Sequence, residues 1–242
     1  MPGLKSITLV FIACMPFNAI RVFLYRTLLR YDITYDCRIG PGNYLCLGSC
    51  RLRGVTIGKL NYFNVGHLKM HPGSEVRVLN KFLYVNELRI GAGSAVVSKN
   101  TVTGSRPGES PFADSQNLFI GAGTFITRKH SIDVSDTVTI GDDVTFGGIA
   151  SEIWTHGFDL QHVRLQAPVT IGNHVYIGSH CLILQGVSIV DEVSVGAGTV
   201  VSRTISESGF YVSSNLQRKS DARSLAGEDS VVEHRGGRFV RK

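Results

Sequence analysis

The chain has 242 residues, 43% of them hydrophobic, with 27 glycines, seven prolines and one tryptophan; this excludes a disordered chain or a coiled coil and suits one elongated domain with appendages. The net charge of +6 sits at the ends, +4 in residues 1–30 and +3 in residues 218–242, leaving the middle near −1, and no basic surface interleaved with aromatics points to nucleic acid. Five cysteines, an odd number without a CxxC pair, argue against a disulfide framework or structural zinc and read as reduced thiols of a cytoplasmic protein.

Residues 1–36 form an apolar and amphipathic lead-in. The nine-residue apolar run Ile7–Met15 follows Lys5 and is stopped by Pro16; it is too short to cross a bilayer, and no small-x-small cleavage site follows it. From Phe17 to Arg30 the spacing predicts a helix with Ile20, Phe23, Leu24 and Leu28 on one side and Arg26 and Arg30 on another. Such a helix suits peripheral contact with an anionic membrane surface, or packing on the body of the protein or on a neighbouring subunit.

Residues 37–206 carry a period of six. Ile171, Ile177, Ile183, Ile189, Val195 and Val201 are evenly spaced, and Gly172, Gly178 and Gly196 each follow one of them. Neither a helix nor a single strand has that period, so it belongs to a repeated supersecondary unit. Upstream, Ile39, Leu45, Ile57 and Phe63 share a frame in which Arg51 is the exception; Ile90, Val96 and Val102 share another, and Ile120, Ile126 and Ile132 a third. After Ile132 the frame slips by two and resumes at Ile140 and Phe146. Each hexad reads as a short strand with one inward aliphatic side chain, then a turn in which glycine or asparagine takes positive φ. Three hexads make one triangular coil, and stacked coils bury columns of aliphatics: an all-β solenoid. Cys46 and Cys50 fall inside this frame and place small side chains in a coil, and Cys181 reads as core.

Two segments interrupt the repeat. Residues 103–118 contain Gly104, Pro107, Gly108 and Pro111 and read as an irregular excursion. Residues 147–168 gather Trp154, Thr155, His156, Gly157, Asp159, His162 and Arg164, and loops on a stiff scaffold are where chemistry usually sits.

Four segments, Thr137-Val-Thr-Ile-Gly-Asp-Asp-Val144, Trp154-Thr-His-Gly-Phe-Asp159, Pro168-Val-Thr-Ile-Gly-Asn-His-Val-Tyr-Ile-Gly-Ser179 and Val195-Gly-Ala-Gly-Thr-Val-Val-Ser-Arg203, resemble the hexapeptide-repeat acetyltransferases that O-acetylate sugars, in the branch acting on bacterial surface polysaccharides such as capsule, exopolysaccharide or O-antigen. The resemblance implies a left-handed parallel β-helix, a homotrimer, and acetyl-CoA lying between subunits as acyl donor, with no metal. It makes His156 the catalytic base that accepts the proton of a sugar hydroxyl; a group with a reference pKa near 6.5 suits that task. Asp133, Asp159, Glu152 or a backbone carbonyl could orient it. The same resemblance assigns Tyr176, Ser179, Ala197, Ser202 and Arg203 to the donor, and Trp154, Asp159 and Arg164 are the acceptor candidates in the His156 loop. It extends to the leader Pro16-Phe-Asn-Ala-Ile-Arg-Val-Phe-Leu-Tyr-Arg26, hence to a cytoplasmic protein in peripheral contact with the inner membrane face. The Gly-x-Pro-Ala-Lys-like closing segment of such enzymes is replaced by Ser214-Asn-Leu-Gln-Arg-Lys219, which lacks the proline but keeps Arg218 and Lys219 for a CoA phosphate. Residues 207–242 are a C-terminal segment ending in a basic tail.

Other readings are N-acetylation of an amino sugar, and a non-catalytic assembly scaffold. A zinc carbonic anhydrase on the same fold is suggested by His174 and His180, six residues apart, but the paired histidines four apart that such a site uses are missing.

Overall fold

A computed structural model describes residues 2–161, 163–213, 217–220, 231–234 and 237–240. Its body is a left-handed parallel β-helix of about nine turns, preceded by two helices, α1 (Pro2–Ala13) and α2 (Asn18–Leu28).

The six-residue period builds three faces. Ile33, Leu52, Met70, Ile90, Ile120, Ile140, Ile171, Ile189 and Ile205 stack in register on the first. Ile39, Ile57, Val76, Val96, Ile126, Phe146, Ile177, Val195 and Tyr211 stack on the second. Leu45, Phe63, Phe82, Val102, Ile132, Ile153, Ile183 and Val201 stack on the third. All are buried. One such side chain removed from water is worth about 1.5–3 kcal/mol, so the columns dominate the stability. The Arg51 exception resolves as a long strand, Tyr44–Leu52, that bends from third face to first and turns Leu47, Cys50 and Leu52 inward while Arg51 stays outside.

The turns meet the expectation of glycine at positive φ in part, as at Gly73, Gly93 and Gly123 between the first and second faces, with φ of 75°, 69° and 65°. Between the second and third faces the left-handed residue is Gly42 at one end and Gly198 at the other, with φ of 74° each, but between them it is Leu60, Leu79, Lys99, Lys129, Ala150 or His180, with φ of 57°, 59°, 57°, 58°, 59° and 57°. The asparagines come one residue later and are buried. Asn61, Asn80 and Asn100 each donate their backbone N–H to the side-chain oxygen of the asparagine one turn earlier, at 2.9, 2.9 and 3.0 Å. A left-handed non-glycine residue costs about 1–2 kcal/mol; the continuous amide ladder offsets it turn by turn. The glycines after the inward aliphatics serve close packing instead: a Cβ on Gly178 would lie 2.6 Å from the Ala197 nitrogen.

The ladder ends in a histidine. His130 N–H donates to Asn100 Oδ1 at 2.9 Å, and its Nδ1 accepts the N–H of Ser151 at 3.1 Å. Burial lowers the His130 pKa from 6.5 to about 4.

The two helices close the open end of the solenoid. The first coil has no earlier rung to satisfy its backbone, and side chains do so instead. Arg21 donates to the carbonyls of Ile39 and Met15, Tyr25 to that of Asn43, Tyr31 to that of Leu45, and Lys5 to that of Leu47, while Asn18 Oδ1 accepts the N–H of Ile39. The second helix thus packs on the body of the protein, one of the placements its sequence left open, though not through its apolar side. Arg21, Val22 and Tyr25 face the coil, whereas Ile20, Phe23 and Leu28 face outward. An unpaired sheet edge needs hydrogen-bond donors more than it needs aliphatics. No helix among the described residues is long and apolar enough to cross a membrane.

The His130 environment predicts acid lability. A base whose folded pKa lies below its unfolded value binds its proton more readily in the unfolded chain, so stability is full above about pH 6.5 and falls as the pH drops toward 4. The loss reaches about 3 kcal/mol. Thermal unfolding at pH 7 and pH 4.5 should show it, and His130→Asn, which continues the amide ladder, should flatten the dependence.

Candidate active site

Both interruptions of the repeat leave the prism at the same corner, between the third and first faces. In-register pairing sets Thr103 beside Asp133, and Ile132 beside Ile153, so Asp133 is level with Trp154 one turn on. The second excursion is shorter than the sequence suggested, because strands Thr145–Ile149 and Glu152–Ile153 continue the coil. It leaves after Ile153 and is an antiparallel hairpin of His156–Phe158 and Arg164–Gln166.

His156 stands at the root of this hairpin. Its Nδ1 lies 2.8 Å from Asp133 Oδ2, and both side chains are mostly buried, with 20% and 14% of their surface exposed. Of the three candidate carboxylates, Asp133 is the one that meets the ring. Its Oδ2 also accepts Thr155 N–H at 3.0 Å and Thr155 Oγ1–H at 2.8 Å, while Oδ1 accepts Ser135 Oγ–H at 2.8 Å. Glu152 instead accepts Trp154 Nε1–H at 2.8 Å, and Asp159 Oδ1 accepts the N–H groups of Gln161 and Val163 at 2.9 and 2.8 Å, closing the hairpin turn. With Nδ1–H held by a carboxylate, the lone pair of the ring is on Nε2.

Arg164 ties the two excursions together. Its Nη2 donates to Ser105 Oγ at 2.9 Å and to Ser135 Oγ at 2.6 Å. Thr103, Ser105, Asp133, Trp154, His156 and Arg164 line a cavity of about 350 Å³. Trp154 and Phe158 stand edge-on to the imidazole, with centroids at 5.7 and 5.9 Å, and remain 39% and 64% exposed. Ser105 and Ser135 were not picked out by sequence reading. The two-residue slip between Ile132 and Ile140 was the available signal, since Ser135 lies within it.

The remaining predicted residues lie elsewhere on the prism. Ser202 and Arg203 occupy the His156 corner two turns on, after the Val200–Val201 strand that pairs with Leu182–Ile183. Tyr176 is exposed on the second face. Ser179 is at the next corner, where its Oγ accepts Ile149 N–H at 3.2 Å, and Ala197 lies one turn beyond it. The third face thus separates Ser179 and Ala197 from His156 within one chain. Arg218 lies on the strand Gln217–Ser220 that pairs antiparallel with Gly209–Val212, and Lys219 follows it; His162, Ser214–Leu216 and most of residues 221–242 lie outside the described residues. Among the described residues no three of His, Cys, Asp and Glu gather as a metal site requires; His174 is exposed, 3.7 Å from Asp143, and His180 is at an exposed corner. Burial raises the Cys181 thiol pKa, which does not suit a nucleophile.

The chain is similar to several known proteins. Residues 168–203 match the pattern described as the hexapeptide repeat of succinyl-transferase. The galactoside O-acetyltransferase of Escherichia coli (strain K12) is 33% identical over 99 residues, 39% of this chain and 49% of that protein. Over these stretches the chain is similar to hexapeptide-repeat acetyltransferases. The bifunctional protein GlmU of Mycobacterium sp. (strain KMS) is 30% identical over 138 residues, 55% of this chain and 26% of that protein. This hexapeptide-repeat chain therefore spans half or less of the length of these relatives. Among solved structures, a hexapeptide-repeat-containing acetyltransferase from Vibrio cholerae is similar over 92% of this chain and 90% of that one, at 16% identity and a TM-score of 0.42.

The hydrogen-bond pattern predicts a stability hierarchy. Asp133→Ala strands the Thr155 and Ser135 donors in a mostly buried corner and should cost about 2–4 kcal/mol. Asp159→Ala opens an exposed turn and should cost less than about 1 kcal/mol. Urea unfolding of both variants checks the order.

Proposed function

We propose that this chain transfers an acetyl group from acetyl-CoA to a hydroxyl of a saccharide used in bacterial surface polysaccharide, with His156 as general base. The observation that carries the reading is the His156–Asp133 contact of 2.8 Å, with the imidazole at the wall of a cavity flanked by exposed aromatic rings. Asp133 holds Nδ1–H and stabilises the imidazolium that forms when Nε2 takes the hydroxyl proton. The freed oxygen attacks the thioester carbonyl, a C–O bond forms, the C–S bond breaks, and the imidazolium returns its proton to the departing thiolate. No covalent enzyme intermediate is needed. Trp154 and Phe158 offer apolar ring faces and edges to the C–H side of a pyranose, while Ser105, Thr103 and Arg164 offer polar partners to its hydroxyls.

Donor binding is assigned to Tyr176, Ser179, Ala197, Ser202, Arg203, Arg218 and Lys219. The corner that bears Ser179 and Ala197 is narrow because Gly178 brings adjacent coils together, and a pantetheine arm needs such a groove with accessible backbone amides. These residues fit the donor only in part within one chain, since Ser179 and Ala197 sit one corner away from His156. A cyclic homotrimer joins them, by setting the Ser179 corner of one copy against the His156 corner of the next. Cytoplasmic placement follows from the donor.

Purified protein, acetyl-CoA and a panel of glycans, read by thiol release, tests the reading. Wild type should release CoA in the presence of an accepted glycan, and His156→Ala should lower kcat by about 10²- to 10⁴-fold with an unchanged melting temperature. Equal release by both proteins contradicts the assignment.

A further inference from the structure

We infer that the outer face of α1 and α2 is a docking surface for an anionic lipid bilayer. The helices spend their polar side chains on the first coil, as described above, and what remains outside is apolar. Leu4, Ile7, Val10 and Phe11 of α1 are 67%, 68%, 55% and 54% exposed, and Phe17, Ile20, Phe23 and Leu28 at and along α2 are 66%, 41%, 51% and 55% exposed. In α1 the spacing i, i+3, i+6, i+7 draws one stripe down the helix. Single exposed aliphatics need no explanation, but eight large ones on two consecutive helices at one end of a solenoid do.

Charge selects the occupant. Residues 1–31 contain Lys5, Arg21, Arg26 and Arg30 and no acid; the first acids, Asp32 and Asp36, belong to the first coil, and Asp32 is already held by Arg53 at 2.7 Å. Arg21 is buried, and Arg26 and Lys5 donate to the Ile33 and Leu47 carbonyls, so none interrupts the apolar face, while Lys5 and Arg30 keep exposed surface. A two-fold contact that set this face of one copy against the same face of another would bring like bases together with no acid from this segment to pair with them. An anionic headgroup layer supplies the missing charge, and the acyl boundary beneath it takes the aliphatics. α1, at 12 residues, is about 18 Å long, too short to cross. Hence the helices lie in the interface plane, with the prism standing off the surface. This differs from the basic amphipathic helix expected from sequence, since the bases mark the rim and the coil side rather than a solvent face. The docking is independent of the acetyl transfer proposed above.

Flotation of the full chain with phosphatidylcholine vesicles, with and without phosphatidylglycerol, tests it. The chain should rise with the anionic vesicles, rise less with the neutral ones, and the double variant Phe11→Glu, Phe23→Glu should lose more than about tenfold in partitioning with unchanged glycan-dependent CoA release. A polarity-sensitive fluorophore on the exposed Cys14 between the helices gives a reading on the unaltered face: its emission should shift to the blue on anionic vesicles. Recovery of the chain in the soluble fraction with both vesicle types, or no emission shift, overturns the proposal. A particle mass by light scattering that is twice that of the double variant also overturns it, and gives the face to a second copy of the chain.

Discussion

Parallel, in-register stacking of coils is the constraint on which everything else rests. Because each turn advances the prism by about 4.8 Å and extra residues leave it as corner loops, residues separated by about twenty or thirty positions are delivered to the same corner of the prism. Asp133, Thr155 and His156 meet for that reason: one lies on a coil and the others on the next coil's departing loop. The corner needs no special folding device of its own. Any change that slipped the register by one residue would turn the aliphatic columns outward and separate the carboxylate from the imidazole together.

Stacking also leaves an end, and the way the end is closed determines what the protein shows to its surroundings. An open coil presents unpaired carbonyl and amide groups, so the segment that covers it must be polar on its inner side. α2 does this with Arg21 and Tyr25, and Asn18 adds a paired donor and acceptor. Amphipathicity of the lead-in is then reversed relative to a helix docked on an aliphatic core. The outward apolar stripe is a consequence of satisfying the edge, and it gives the end of the solenoid a character unlike its sides, where charged residues such as Arg77, Glu75, Arg89 and Glu87 pair along the coil.

Much of the fold could be read from spacing alone. The six-residue recurrence of aliphatics matches the three buried columns, because a side chain that must point inward once per face has no other place to go. What spacing could not show was how the corners are made. Leu60, Leu79, Lys99 and Lys129 take a backbone conformation that residue type disfavours, and the reason is non-local: the amide ladder behind them fixes the turn. The helix orientation was hidden for the same kind of reason, since helical periodicity reports which side is apolar and not whether the partner is a core or a hydrogen-bonding edge. At the site, His156 and its loop were visible as a polar cluster interrupting the repeat. The choice of Asp133 over Glu152 and Asp159 was not, because it depends on register between turns. Ser105 and Ser135, ordinary residues in sequence, gain a role only from the arginine that reaches both.

Acetyl transfer as proposed requires an imidazole whose Nδ1–H is held by Asp133 and whose Nε2 is free to take a proton. Long-range proton–nitrogen correlation NMR of the histidine-labelled protein, with His156 assigned by its loss in His156→Gln, reads that tautomer directly. In mildly alkaline buffer the spectrum should show Nδ1 as the protonated nitrogen and Nε2 as the pyridine-type one, with the preference lost in Asp133→Asn. A proton on Nε2 in the wild type, or a tautomer indifferent to Asp133, would contradict the account.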